Sequence, residues 1–137
     1  MTQSRASGTF KVANFTPAPV SSPAVETALP VGIATMEKRY EGDVVGRSAT
    51  LFTSAFDQST STGTYVAMES FEGTLHGQTG AFNFAHSATT EGSGRQGEFF
   101  IIVPASGTGA LAGITGTGGM AVEDDGTHRI WFDYELR

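Results

Sequence analysis

Cysteine is absent from this chain, which removes disulfides, thiolate metal ligands and a cysteine nucleophile together. Positive charge is scarce. Lys and Arg number 8 against 14 Asp and Glu, for a formal net charge of −6. The basic residues are scattered from Arg5 to Arg137, with no stripe to neutralise a run of phosphates. Nucleic acid is excluded as a partner on that ground. Long apolar runs are also missing. The longest, Phe99 to Val103, falls far short of a membrane span, so no membrane partner is expected. The opening Met1-Thr2-Gln3-Ser4-Arg5 has no apolar centre and predicts no secretory signal. A soluble, cytoplasmic protein is the expectation.

Glycine is plentiful, with 18 residues, and serine and threonine are abundant. That mixture suits short strands and tight turns better than helices. A string beginning aromatic-Glu-Gly occurs twice, as Tyr40-Glu41-Gly42-Asp43-Val44-Val45-Gly46 and Phe71-Glu72-Gly73-Thr74-Leu75-His76-Gly77. A looser copy is Gly109-Ala110-Leu111-Ala112-Gly113. Two glycines bracketing three residues, with alternating apolar residues before and after, predict strands that turn back on themselves.

Period two dominates the whole chain, and no segment sustains a helical period. Strands are expected at 7–15, 33–40, 44–56, 63–71, 80–89, 98–103, 118–123 and 127–136. The last alternates cleanly, with Ile130, Phe132, Tyr134 and Leu136 on one face. Between the first two lies a proline-rich irregular loop, 16–30, with Pro17, Pro19, Pro23 and Pro30; Phe15, Val20, Val25 and Leu29 are the residues available to pin it. Eight strands in sequence order predict a single all-β domain over 1–137, a closed antiparallel eight-stranded up-and-down barrel.

One set of strings carries a resemblance: Gly107-Thr108-Gly109-Ala110-Leu111-Ala112-Gly113-Ile114-Thr115-Gly116, with Gly80-Ala81-Phe82 before Ala85-His86-Ser87, and Asp125-Gly126-Thr127-His128 running into Asp133-Tyr134-Glu135-Leu136. From about Ala34 onward the chain resembles a family of small bacterial proteins of unknown function. The Gly-Thr-Gly…Leu-x-Gly piece also looks like the matching strand-turn of allene oxide cyclases and dirigent proteins. The resemblance implies an allene-oxide-cyclase-like eight-stranded barrel and carries over no activity or catalytic residue.

Several motifs lead nowhere. Gly107-x-Gly109-x-x-Ala112 mimics a dinucleotide fingerprint, but the glycines that follow rule out the helix such a site needs. Glu123-Asp124-Asp125-Gly126 is a turn. Lys38-Arg39 is the densest basic spot, its members facing opposite sides, and is expected to be solvated. His76, His86 and His128 are not spaced to share a metal, so neither a metal nor another cofactor is expected. No nucleophile elbow exists.

The remaining candidates share strand faces. His86 lies on the face of Phe82 and Phe84, and enters an apolar lumen if that face is internal; otherwise it sits at the rim or on a backbone carbonyl. Glu69 alternates with Tyr65, Ala67 and Phe71, and parity leaves its direction open. Buried, it is expected to have a raised pKa and to serve as acid or base; otherwise it is exposed or bonded to a tyrosine. Tyr134 is a core aromatic or supplies a hydroxyl to the same lumen. Trp131, on the polar face of its strand, is expected against the proline-rich segment or a second subunit. Tyr65, Glu69, Phe82, Phe84, His86 and Tyr134 thus form the candidate ligand set, with Glu69 and His86 the candidate catalytic pair. Small residues at Ala49, Thr53, Ala67 and Ala85 favour a cavity. Function itself is not legible. The favoured reading is a barrel holding a mostly apolar small molecule. An isomerase or cyclase using a buried carboxylate, and a filled barrel acting in assembly, are the alternatives.

Overall fold

The computed structural model describes residues 3–19 and 24–137. Eight strands follow one another: β1 Ser4–Ala18, β2 Val31–Gly42, β3 Val44–Asp57, β4 Thr62–Leu75, β5 Gln78–Glu91, β6 Gly94–Ile102, β7 Thr115–Val122 and β8 His128–Glu135. Each pairs antiparallel with the next, and β8 returns to β1 through Ser4↔Tyr134 to Phe10↔His128. The eight strands form a ring. A lone 3-10 turn, Gly109–Leu111, lies between β6 and β7.

The repeated string explains itself differently in each copy. In the first, the turn falls at Gly42-Asp43, with Gly42 at positive φ; in the second, at His76-Gly77, both at positive φ. The other glycine of each copy lies inside a strand. Gly46, Gly73 and Gly80 stand opposite one another across β3, β4 and β5. A Cβ at Gly73 would lie 2.0 Å from the Val45 carbonyl oxygen, and one at Gly46 2.2 Å from that of Glu72. Only glycine fits this row. The third copy makes no hairpin. It forms the 3-10 turn, whose Leu111, with Ile114 beyond, is fully buried and plugs one end of the ring.

Seven of the strands run longer than expected, because backbone pairing continues past the alternating apolar residues, while β8 stops one residue short of the expected 127–136 at each end. The proline-rich loop is shorter: β1 continues to Ala18, with Pro17 opposite Ala34. Proline is tolerated because β8 leaves β1 after Phe10, so beyond that point β1 is an edge. Asn14, at φ 55°, and Phe15 bulge where the β1–β2 register shifts. Val20 and Pro23, assigned to that loop, lie outside the described residues.

Inward positions at the plugged end are apolar. Phe71, Phe82, Phe84, Ile102, Ile130 and Phe132 are almost completely buried, and their rings meet at 5.1–5.3 Å for Phe71–Phe82, Phe82–Phe132 and Phe84–Phe132. Each such ring contributes roughly 1.5–3 kcal/mol by burial alone. The other end is looser. There β7 and β8 stop short, and β6 meets β7 at Ile101↔Thr117 and Ile102↔Gly116 alone. Phe100, next along β6, lies over Gly118, where any Cβ would come within 2.7 Å of its ring.

Candidate functional site

A buried polar cluster separates the two ends. It is centred on Glu69, whose side chain is wholly inaccessible. Parity along β4 places Tyr65, Ala67, Glu69 and Phe71 inward, which decides the direction the sequence left open. Glu69 Oε2 accepts hydrogen bonds from Lys38 Nζ at 2.6 Å and His86 Nε2 at 2.5 Å. Oε1 accepts from Ser48 Oγ at 2.6 Å; that spends the serine's one O–H, so Ser48 Oγ accepts in turn from Tyr40 Oη at 2.7 Å, with Tyr40 Oη 3.3 Å from Oε1. Three donors, with the Tyr40 hydroxyl packed behind Ser48, enclose the carboxylate.

Burial alone would raise the Glu69 carboxyl. The His86 hydrogen bond and the Lys38 charge outweigh it and hold the group at about 2. Glu69 is therefore a fixed anion, not the proton-holding acid that burial alone predicts. Burial lowers the Lys38 ammonium, opposed by Glu69. Burial, then the charge of Glu69, pushes the Tyr40 hydroxyl far up.

His86 is held at both nitrogens. An ionised carboxylate only accepts, so Nε2 carries the proton, and in the neutral ring Nδ1 accepts from Tyr65 Oη at 2.9 Å. Burial keeps the imidazole below its ordinary value despite the Glu69 hydrogen bond, with Lys38 adding to the lowering. Tyr65 in turn accepts from Arg95 Nη2 at 2.7 Å, and Arg95 Nε is paired with Glu98 at 2.7 Å. The polar line thus runs from a sealed carboxylate to an arginine at the looser rim, its side chain 16 % exposed.

An aromatic series lies beside it. Phe15 meets Phe52 edge-on at 6.3 Å, Phe52 stacks on Tyr65 at 5.2 Å, and Tyr65 meets His86 edge-on at 5.3 Å. Val12 pairs with Lys38 in register and so faces inward, yet it is 42 % exposed. Phe15 is 55 % exposed. The inner wall of this end is open to solvent. On its floor Thr50, opposite Glu69 across β3 and β4, is 2 % exposed. Its hydroxyl is the one buried side-chain polar atom without a partner among the described residues.

Of the candidate set, Tyr65, Glu69 and His86 come together. Phe84 flanks them, stacked 5.7 Å from His86. Phe82 and Tyr134 belong to the plugged end. Of the small residues expected to leave a cavity, Ala67 points inward; Ala49, Thr53 and Ala85 take the outward parity. Trp131 faces outward, lying over Gly119 with the Arg5 guanidinium 5.8 Å from its ring. His76 Nε2 lies 2.8 Å from the Arg5 carbonyl oxygen, and His128 stacks on Phe10 at 5.1 Å. Among the described residues no group of three or more His, Asp or Glu is arranged to hold a metal ion, and no helix is long and apolar enough to cross a membrane.

Lys38 is the correction. Expected to be solvated, it is 5 % exposed, with its ammonium 4.9 Å from the centre of the Phe10 ring. The signal was present: Ala34, Met36, Lys38 and Tyr40 alternate with Thr35, Glu37 and Arg39, which puts the lysine on the apolar face.

Fold and site together define an all-β ring with a buried ion pair at its waist. The chain matches, over residues 6–134, the family model described as "Protein of unknown function (DUF3224)", and it belongs to that family. It is similar to a crystal structure of a protein with unknown function from the same family of Shewanella oneidensis MR-1. The two share 26 % identity over 99 % of this chain and 98 % of that one, with a TM-score of 0.84. No curated protein matches the chain.

Proposed function

We infer that the protein binds a small, mostly apolar molecule inside the looser end of the ring, read as a closed barrel of the allene-oxide-cyclase-like kind. The observation that carries this is the solvent-open inner wall. Val12, Phe15 and Phe52 present apolar surface there, directly above a polar floor held by the Lys38–Glu69–His86 hydrogen bonds. Apolar walls with a few fixed polar groups are the usual make-up of small-molecule sites. A soluble cytoplasmic carrier, with self-association through the Trp131 side, completes the reading.

The fluorescent probe N-phenyl-1-naphthylamine tests it. Emission should rise on binding, and Phe52→Glu should abolish the rise. The outer face has apolar groups of its own, with Leu51 62 % and Met68 47 % exposed beside a groove of about 380 Å³. A signal lost in Leu51→Ser/Met68→Ser but kept in Phe52→Glu would overturn the assignment.

A second reading, proton-transfer catalysis of the isomerase or cyclase kind, is favoured by the Tyr65–His86–Glu69 line. In it Tyr65, not the carboxylate, meets the substrate. His86 holds its proton balance, and Glu69 fixes the tautomer. Tyr65→Phe should then abolish turnover of a substrate while sparing its affinity.

A further inference from the structure

We propose that the molecule taken into the open end is a small carboxylic acid, bound as its carboxylate against Lys38 and Thr50. This rests on the inner-wall site just described and adds the head group. Hydrogen-bonding capacity on the floor decides the head group. Glu69 accepts from three donors, is wholly inaccessible and already has Lys38 as its counter-charge, so it offers nothing to a cationic ligand. His86 Nδ1 is occupied by Tyr65. What remains free on the floor is donors. Lys38 commits one of its three N–H groups, to Glu69. Thr50 commits none. At the rim, Arg95 commits one N–H to Glu98 and one to Tyr65 out of five. A buried hydroxyl with no partner is costly, and an acceptor brought by a ligand relieves it. The head group is therefore an acceptor.

Charge makes it an anion with a consequence. Lys38 is balanced by Glu69 and Arg95 by Glu98, so a carboxylate adds one uncompensated negative charge at a floor whose own side chains are almost wholly buried. His86 is the group placed to answer it. The groups facing it are Glu69 and Tyr65 from β4, Lys38 from β2 and Arg95 from β6, while His128 from β8 borders the same Lys38 and Arg95 charges. Protonated, His86 donates from both nitrogens, to Glu69 and to Tyr65. Tyr65 then accepts from His86 and Arg95, and its own O–H is freed to turn toward the carboxylate. Binding the anion takes up one proton, and no bond other than hydrogen bonds is made or broken.

The test is titration calorimetry of the whole protein with phenylacetate and with neutral phenylacetamide, at pH 6 and pH 8. Two buffers of different ionisation heat are used at each pH. Phenylacetate should bind at least ten-fold more tightly than the amide at pH 6, and more weakly at pH 8. The buffer dependence at pH 8 should show uptake of close to one proton. Thr50→Val, which keeps shape, should weaken phenylacetate about ten-fold and leave the amide within two-fold. Amide bound as well as the carboxylate, in a manner blocked by Phe52→Glu, would overturn the carboxylate assignment and leave the inner-wall site standing. Failure of both compounds together with N-phenyl-1-naphthylamine would overturn both.

Discussion

The two ends of the ring are built from the same strands by different chemistry. At the plugged end the buried inward side chains are apolar or aromatic, and the rings interlock beneath Leu111 and Ile114. At the open end the inward positions include Lys38, Ser48, Thr50, Glu69 and His86, and they are ordered by ion pairs and hydrogen bonds. Apolar packing is tolerant of partner identity and additive in area. A buried charge network is neither, since each member is acceptable only while its partner is present. The plugged end can fulfil its part as packing alone. The open end carries charges that packing does not require, beside a wall left uncovered, and that is the difference a ligand would use.

The largest test of this contrast pairs two single truncations. Lys38→Met should cost about 3–5 kcal/mol in urea unfolding, because it strands Glu69 without its main counter-charge. Phe132→Ala should cost a similar 3–5 kcal/mol by leaving a cavity. The rescues should differ. Lys38→Met/Glu69→Met should regain most of the loss, whereas a second truncation at Phe82 should deepen the first. Failure of the charge-free pair to recover would mean that the network stabilises the fold outright.

Acid sharpens the comparison next. Glu69 is held at about 2 against an ordinary 4.5. A depressed carboxylate contributes stability that is full above the unfolded value and lost as pH falls through the folded one. The loss should amount to about 3 kcal/mol between pH 4.5 and 2. His86, lowered from 6.5 by burial, acts in the same direction: its contribution is complete above 6.5 and begins to fall below it. Urea midpoints between pH 7.5 and 2.5 should show both losses, and Lys38→Met/Glu69→Met should lack the lower one.

Smaller effects probe the floor. Thr50→Val in the ligand-free protein should raise stability by about 1 kcal/mol, since it removes a buried hydroxyl that has no partner. A lower melting temperature would show that something already satisfies that hydroxyl. Tyr65→Phe should cost about 1 kcal/mol or less, with a clearer mark in the His86 ring proton shifts, which should titrate at a different pH by NMR.

Much of this was legible in particular residues. The alternation of Ile130, Phe132 and Tyr134 marked the apolar face of β8, and His86 was seen to share a face with Phe82 and Phe84, but whether that face was internal waited for the ring. Lys38 was legible too, by the parity of Ala34, Met36 and Tyr40, but a lysine beside an arginine resembles surface charge unless parity is weighed above residue type. The pKa of Glu69 was not legible. Burial pushes a carboxyl up, and the groups that reverse this, Lys38 and His86, lie 31 and 17 residues away.

Residue order by itself determined the period-two strands, the hairpin turns and the antiparallel succession, because each depends on neighbours within one hairpin. Only the tertiary structure decided which face of β4 turned inward, that three glycines align across three strands, and that one carboxylate gathers three donors. Those outcomes depend on the ring bringing distant strands face to face, and on the balance between desolvation and charge that exists once it has done so.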